Sequence, residues 1–134
     1  MAALVIDASF ALALLLPDEV KPSASMLALL EKDGAVVPAI WPIEVGNTLV
    51  MAERRKRIAA SALDRIADRL DALPIGVDER PVSEAWRACI ALAVRHRLTV
   101  YDGAYLELAK RLRLPLATLD GDLRKAAKAE GVTV

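Results

Sequence analysis

The chain predicts an open α/β fold built on a mainly parallel sheet, and three observations carry that prediction. Apolar runs of strand length alternate along its 134 residues with longer stretches of helical pattern, as βαβ units do when they build a parallel sheet. Three of these runs stop abruptly on an aspartate: Ala3-Leu4-Val5-Ile6 on Asp7, Leu98-Thr99-Val100-Tyr101 on Asp102, and Leu116-Ala117-Thr118-Leu119 on Asp120, each followed at once by a helical stretch. The first run is also apolar on both faces, which places it centrally with helices on both sides.

Taken in order, residues 3–7 read as the first strand. Ser9–Leu16 reads as a short helix stopped near Pro17, with Ser9 as good a helix cap as Asp7. Pro22 opens a second helix that runs to Lys32. Asp33-Gly34 is a turn, and Ala35-Val36-Val37 is a short second strand. Pro42 marks the start of a helix extending to about Arg57. Ser61 reads as the N-cap of a helix over 62–72, ended by Pro74. Ile75-Gly76-Val77 is a weak third strand, and 82–97 is the longest helical pattern. Strand 98–101, helix 103–112, strand 116–119 and helix 121–129 follow, with an edge strand expected at Val132-Thr133-Val134. The connections are short and no repeat or linker interrupts them, so residues 1–134 are expected to fold as one domain.

Composition narrows the function classes. Lysine plus arginine number 18 and aspartate plus glutamate 18, a balance that argues against wholesale coating of a phosphate backbone. Aromatic residues make up only 4%, which leaves few platforms for stacking bases. The lone Cys89 sits in an apolar stretch and reads as a core residue in a reducing compartment. The longest apolar stretch, Phe10–Leu16, is too short to cross a bilayer, and no signal peptide is evident. These features fit a cytoplasmic protein.

The aspartates carry the chemistry. Strands of a parallel sheet point one way, so acids at their carboxyl ends gather at one edge, where such folds bind ligands. Like charges at 4 Å repel by about 4 kcal/mol at an effective dielectric of ~20, and a divalent cation relieves that repulsion. Each aspartate alone also has an ordinary role as a helix cap, but capping does not explain three strands ending alike. Glu44, just inside the helix begun by Pro42, is a fourth candidate, with Asn47 on the same helix face. All-oxygen donors without histidine or cysteine select Mg²⁺ or Mn²⁺ over zinc. The only histidine, His96, falls at a helix end between Arg95 and Arg97 and reads as structural.

The order Val-Ile-Asp7-Ala-Ser9, Pro-Ile-Glu44-Val-Gly-Asn47, Leu-Thr-Val-Tyr-Asp102-Gly-Ala-Tyr105-Leu-Glu-Leu-Ala109 and Leu-Ala-Thr118-Leu-Asp120-Gly-Asp122-Leu resembles a PIN-domain nuclease. Within that group it is most similar to the VapC-type toxins of bacterial toxin–antitoxin pairs, over essentially the whole chain. The resemblance implies a three-layer α/β/α sandwich and Mg²⁺- or Mn²⁺-dependent endoribonuclease activity. It maps the acidic positions onto Asp7, Glu44, Asp102 and Asp120, and the polar neighbours of the site onto Ser9, Asn47 and Thr118. Asp122 stands as an alternative or an aid to Asp120. Gly103 departs from the alanine common after the third acid, a difference that reads as minor.

Substrate phosphates need positive charge near such a pocket. Arg54, Arg55 and Arg57 end the helix that carries Glu44, and Arg95, Arg97, Lys110, Arg111 and Arg113 lie on later elements. An apolar surplus at Ala11–Leu16, with Met26, Leu27, Leu29 and Leu30, leaves room for a groove that takes a partner helix. The resemblance implies that an antitoxin segment, VapB-like, occupies such a groove, and that the protein is a homodimer. Two rival readings share the scaffold: a Mg²⁺-binding receiver-like phosphoacceptor module, and a catalytically silent binding module. The receiver wants a lysine at the end of a late strand, where this chain has Thr118 and Asp120.

Overall fold

The computed structural model of the protein describes residues 2–16 and 20–134. Four strands, β1 (Leu4–Ile6), β2 (Ala35–Val37), β3 (Ile75–Val77) and β4 (Leu116–Ala117), form one sheet in the order β3-β2-β1-β4. Every pairing is parallel, with Leu4 opposite Ala35, Val5 opposite Leu116 and Ala35 opposite Ile75. β1 therefore has a neighbour on each side, and Leu4, Val5 and Ile6 are wholly inaccessible to solvent, as a strand apolar on both faces requires. Seven helices complete the three-layer α/β/α architecture: α1 (Ala8–Leu15), α2 (Ala24–Asp33), α3 (Trp41–Arg54), α4 (Ala60–Ala72), α5 (Val82–His96), α6 (Val100–Leu112) and α7 (Gly121–Ala129). The core gathers the β1 and β4 side chains with Phe10, Leu30, Trp41, Tyr105, Leu106 and Leu123.

One expected strand is a helix instead. Residues 98–101 do not pair with the sheet, and α6 begins at Val100 with Thr99 as its N-cap, the Thr99 hydroxyl accepting the Asp102 N–H at 3.1 Å. The apolar appearance of this run misleads because Val100 and Tyr101 are 49% and 60% exposed, which no central strand would allow. Left-handed Arg97 (φ 56°) ends α5, so α5 and α6 form a tight helical hairpin. Gly103 allows their close approach. A Cβ built at that position would stand 2.6 Å from the Cys89 carbonyl oxygen, so the glycine is a packing requirement here and not a minor departure.

Smaller differences have local causes. Asp7, not Ser9, caps α1, because its Oδ1 accepts the Phe10 N–H. α2 starts two residues after Pro22, with the Ser23 hydroxyl accepting the Met26 N–H. α3 stops at Arg54 and not Arg57, since Lys56 takes a left-handed conformation (φ 59°). α4 starts at Ala60 behind Ala59, which leaves Ser61 inside the helix and uncapping. β4 is shorter than 116–119 because Thr118 turns its hydroxyl into the network described below. The tail at 132–134 is not a strand, although the Leu116 N–H bonds to Thr133 O at 2.8 Å beside β4. The expected helix stop at Pro17 lies outside the described residues.

Candidate active site

Asp7 is the last residue before α1 and leaves the carboxyl end of β1, the sheet's buried strand. Three hydrogen bonds hold its carboxylate. Oδ1 accepts the Phe10 N–H at 3.0 Å and the Ser9 hydroxyl at 2.7 Å, while Oδ2 accepts the Thr118 hydroxyl at 2.5 Å. Trp41 Nε1 donates to the Asp7 backbone carbonyl at 3.3 Å, tying the start of α3 to the end of β1. Thr118 also accepts the Asp120 N–H at 3.0 Å, and Ser9 accepts the Leu119 N–H at 2.9 Å. The ends of β1 and β4 are thus stitched together by two hydroxyls. Asp120 in turn caps α7, its Oδ1 accepting the Leu123 N–H at 2.9 Å.

Glu44 reaches the same edge from the first turn of α3, and Asp102 from the first turn of α6. Asp102 arrives from a helix N-terminus and not from a strand end, which corrects the sequence expectation about how it gets there. The structure nonetheless brings the four acids together. Burial pushes the Asp102 carboxyl up to about 6, and the charges of Asp120, Asp7 and Glu44 each push the same way, against a hydrogen bond with Thr99. The Asp7 carboxyl is also raised, first by burial. Its hydrogen bonds from Thr118, Phe10 and Ser9 oppose that rise, and the Asp120 charge adds to it. Mutual repulsion of this kind is what a hard cation relieves.

The donor set fits a dication by chemistry: four carboxylates, with the one histidine committed to Glu130 at 2.6 Å and the one cysteine buried. Among the described residues, no three acidic, histidine or cysteine side chains already stand as a closed ligand cluster. The acids lie close enough for their charges to act on one another but are not preassembled into a cage. A cleft of about 470 Å³, lined by Ser9, Leu12, Val20, Leu119 and Asp120, opens beside them.

The remaining candidates separate. Asn47 is exposed on α3, one turn beyond Glu44. Asp122 is exposed in the first turn of α7, and the charge of Asp120 reaches Asp7 and Asp102. Arg54 is exposed at the end of α3 and Arg55 and Arg57 are exposed just beyond it. Ten residues of helix, about 15 Å, separate Arg54 from Glu44. Arg95 and Lys110 are bound to Glu130 at 2.8 and 2.6 Å, and Arg111 to Glu107 and Asp78, so these three cations are engaged in holding helices.

Two residues were missed from sequence alone. Tyr105 is buried and donates its hydroxyl to Glu44 Oε1 at 2.5 Å. Burial and the surrounding acids drive its phenol far above the ordinary value, so it remains a donor. Its position three residues after Asp102, on one face of a helix, was the available signal. Trp41 had no comparable signal, because its partner is a backbone carbonyl.

Comparison with known proteins identifies the family. The model of the PIN domain family matches residues 4–129, and the chain belongs to that family. It is similar to Ribonuclease VapC3 of Pyrobaculum aerophilum, with 32% identity over 90% of this chain and 91% of that protein. It is also similar to Ribonuclease VapC1 of Mycobacterium tuberculosis, with 33% identity over 74% of this chain and 71% of the relative. Within the family it therefore stands with the VapC-type members. The crystal structure of PAE2754 from Pyrobaculum aerophilum shares the fold, with a TM-score of 0.69, 24% identity, and coverage of 93% of this chain and 84% of that one.

Proposed function

We propose that this protein is a Mg²⁺- or Mn²⁺-dependent endoribonuclease and the toxin of a toxin–antitoxin pair, acting in the cytoplasm. The observation that carries the reading is the convergence of Asp7, Glu44, Asp102 and Asp120: beyond the effect of burial, the charges of the other three acids all push the Asp102 carboxyl up. The names of the relatives supply the substrate class. Asp7, Asp102 and Glu44 would hold one ion, directly or through water, and Asp120 would shape a second, weaker position. When bound, a dication supplies polarisation of a phosphoryl oxygen and a lower pKa for water. Asp120 or Glu44 would orient the water that attacks the phosphodiester in line, displacing the leaving oxygen of the RNA backbone. Ser9 and Thr118 hold Asp7 in place, as hydrogen-bonding neighbours of metal ligands do.

For partners, the fold offers two apolar surfaces. A groove of about 460 Å³ between the end of α1, α2 and α4 is lined by Ala13, Leu14, Leu15, Leu27 and Leu30, with Lys21, Glu31 and Arg69 at its rim. It accounts for part of the apolar surplus and suits the amphipathic helix of an antitoxin. Met26 and Leu29 pack instead against the core. On α5, Trp86, Ile90 and Val94 are 57%, 45% and 75% exposed in an i, i+4, i+8 stripe, which suits a twofold contact between two copies.

The experiment is incubation of purified, antitoxin-free protein with a panel of structured RNAs in Mg²⁺, Mn²⁺ or EDTA. Cleavage that requires the metal and disappears in Asp7→Asn supports the reading. Undiminished cleavage by Asp7→Asn in saturating Mg²⁺ overturns the site assignment. Phosphorylation by a small phosphodonor, without RNA cleavage, would favour the receiver-like alternative.

A further inference from the structure

Glu44 is held by a group that is not itself an acid of the site. We infer that Tyr105 is a positioning residue: its buried hydroxyl anchors Glu44 Oε1 and leaves Oε2 as the oxygen available to an ion. The inference rests on the metal-centre reading above.

Three features carry it. Tyr105 has no solvent exposure, and its hydroxyl donates at 2.5 Å to Glu44 across 61 residues of sequence. A buried tyrosine hydroxyl needs a partner, and here the partner is one of the four converging acids. Second, Tyr105 lies on α6 three residues after Asp102, so one helix face presents one acid and secures another. Third, Glu44 is the longest of the four acids and loses the most rotamer freedom when fixed. Asp7 is fixed by Ser9, Thr118 and Phe10, and Asp120 by the Leu123 N–H. No other side chain among the described residues bonds to the Glu44 carboxylate, and Oε2 carries no bond among them. Without Tyr105 the Glu44 side chain would sample several rotamers before each binding event.

The test uses Mn²⁺ as the probe, titrated calorimetrically into metal-free protein. Tyr105→Phe keeps the ring and removes the hydroxyl. Mn²⁺ affinity is expected to fall roughly 10–100-fold, the usual effect of removing such an outer partner. In a Glu44→Gln background the same substitution should add nothing, because the carboxylate it positions is gone. Tyr105→Phe that folds and binds Mn²⁺ like the parent overturns the inference, as does an equal loss in both backgrounds, which would mark a packing role. A parent that binds no Mn²⁺ overturns the metal-centre reading itself and the inference with it.

Should Tyr105→Phe fail to fold, or Glu44→Gln bind no Mn²⁺, a second measurement decides. The chain has two tyrosines, and Tyr101 is 60% exposed. Tyr101→Phe protein labelled with fluorotyrosine then carries a single fluorine signal, at Tyr105. That signal is expected to shift on adding Mg²⁺, with the midpoint found by calorimetry. A signal unmoved at saturating Mg²⁺ overturns the inference.

Discussion

The Asp7 carboxylate shows how one residue serves two purposes. It caps α1 and joins the candidate metal site, because the oxygen that accepts the Phe10 N–H does not exhaust the group. Asp102 has no such dense set of donors, and its carboxyl is pushed up to about 6. The sign follows directly. In metal-free protein below about pH 6 this carboxyl holds a proton, and ion binding has to expel it. Mg²⁺ affinity should therefore weaken as the pH falls from 7 to 5, with proton release measurable by calorimetry in buffers of different ionisation enthalpy. Asp102→Asn should reduce the proton release and the pH dependence together. Affinity that stays level across this range in the parent would show that Asp102 does not hold a proton in the metal-free protein.

Among the elements, the hairpin of α5 and α6 sets the geometry of one side of the site. Gly103→Ala places a methyl group against the Cys89 carbonyl, and overpacking of this kind costs about 1–3 kcal/mol. Chemical denaturation should show a lower midpoint with an unchanged slope. The hairpin is also fastened by Glu130, which accepts from Arg95 and His96 in the last turn of α5 and from Lys110 in the last turn of α6. Lys110, then His96 and Arg95, hold its carboxyl down at about 2, below the ordinary 4.5. Its ionisation therefore favours the folded state above pH 4.5, and that contribution is lost as the pH falls towards 2. Arg95 and Lys110 remain substantially exposed, so screening keeps the effect to about 1 kcal/mol or less. Glu130→Gln should lower thermal stability slightly at pH 7 and leave it unchanged near pH 2.

For the whole molecule, the balance of 18 basic and 18 acidic residues makes RNA binding a matter of local patches. Arg54 and Arg55 lie at the far end of α3 from the acids. Replacing both with alanine should reduce the salt dependence of RNA binding by about one unit of slope per lost phosphate contact. The cleavage rate at saturating RNA should be little changed. An identical salt slope in the double variant would assign these arginines to a solvated helix end. For assembly, Trp86→Glu and Val94→Glu should convert a dimer to monomer in sedimentation. A stripe of this size that stays dimeric after both changes is not the contact between copies.

How much of this was legible depends on how local each cause is. The parallel sheet, the buried first strand and most helix spans follow from apolar patterning and end signals within a few residues, so they can be read from the chain. Asp7 was legible as a strand end because it directly follows β1, and Asp120 because it stands three residues past the end of β4 as the cap of α7. Asp102 was grouped with them for a mistaken reason: its apolar prelude is an exposed cap and first helical turn, and its place beside them comes from packing on α5, permitted by Gly103. The Tyr105–Glu44 bond spans 61 residues and has no local signature. Residue chemistry by itself determined which acidic groups this chain carries and in what order. Which of them meet, and what holds each in place, was decided by long-range contacts that exist only once the helices have packed.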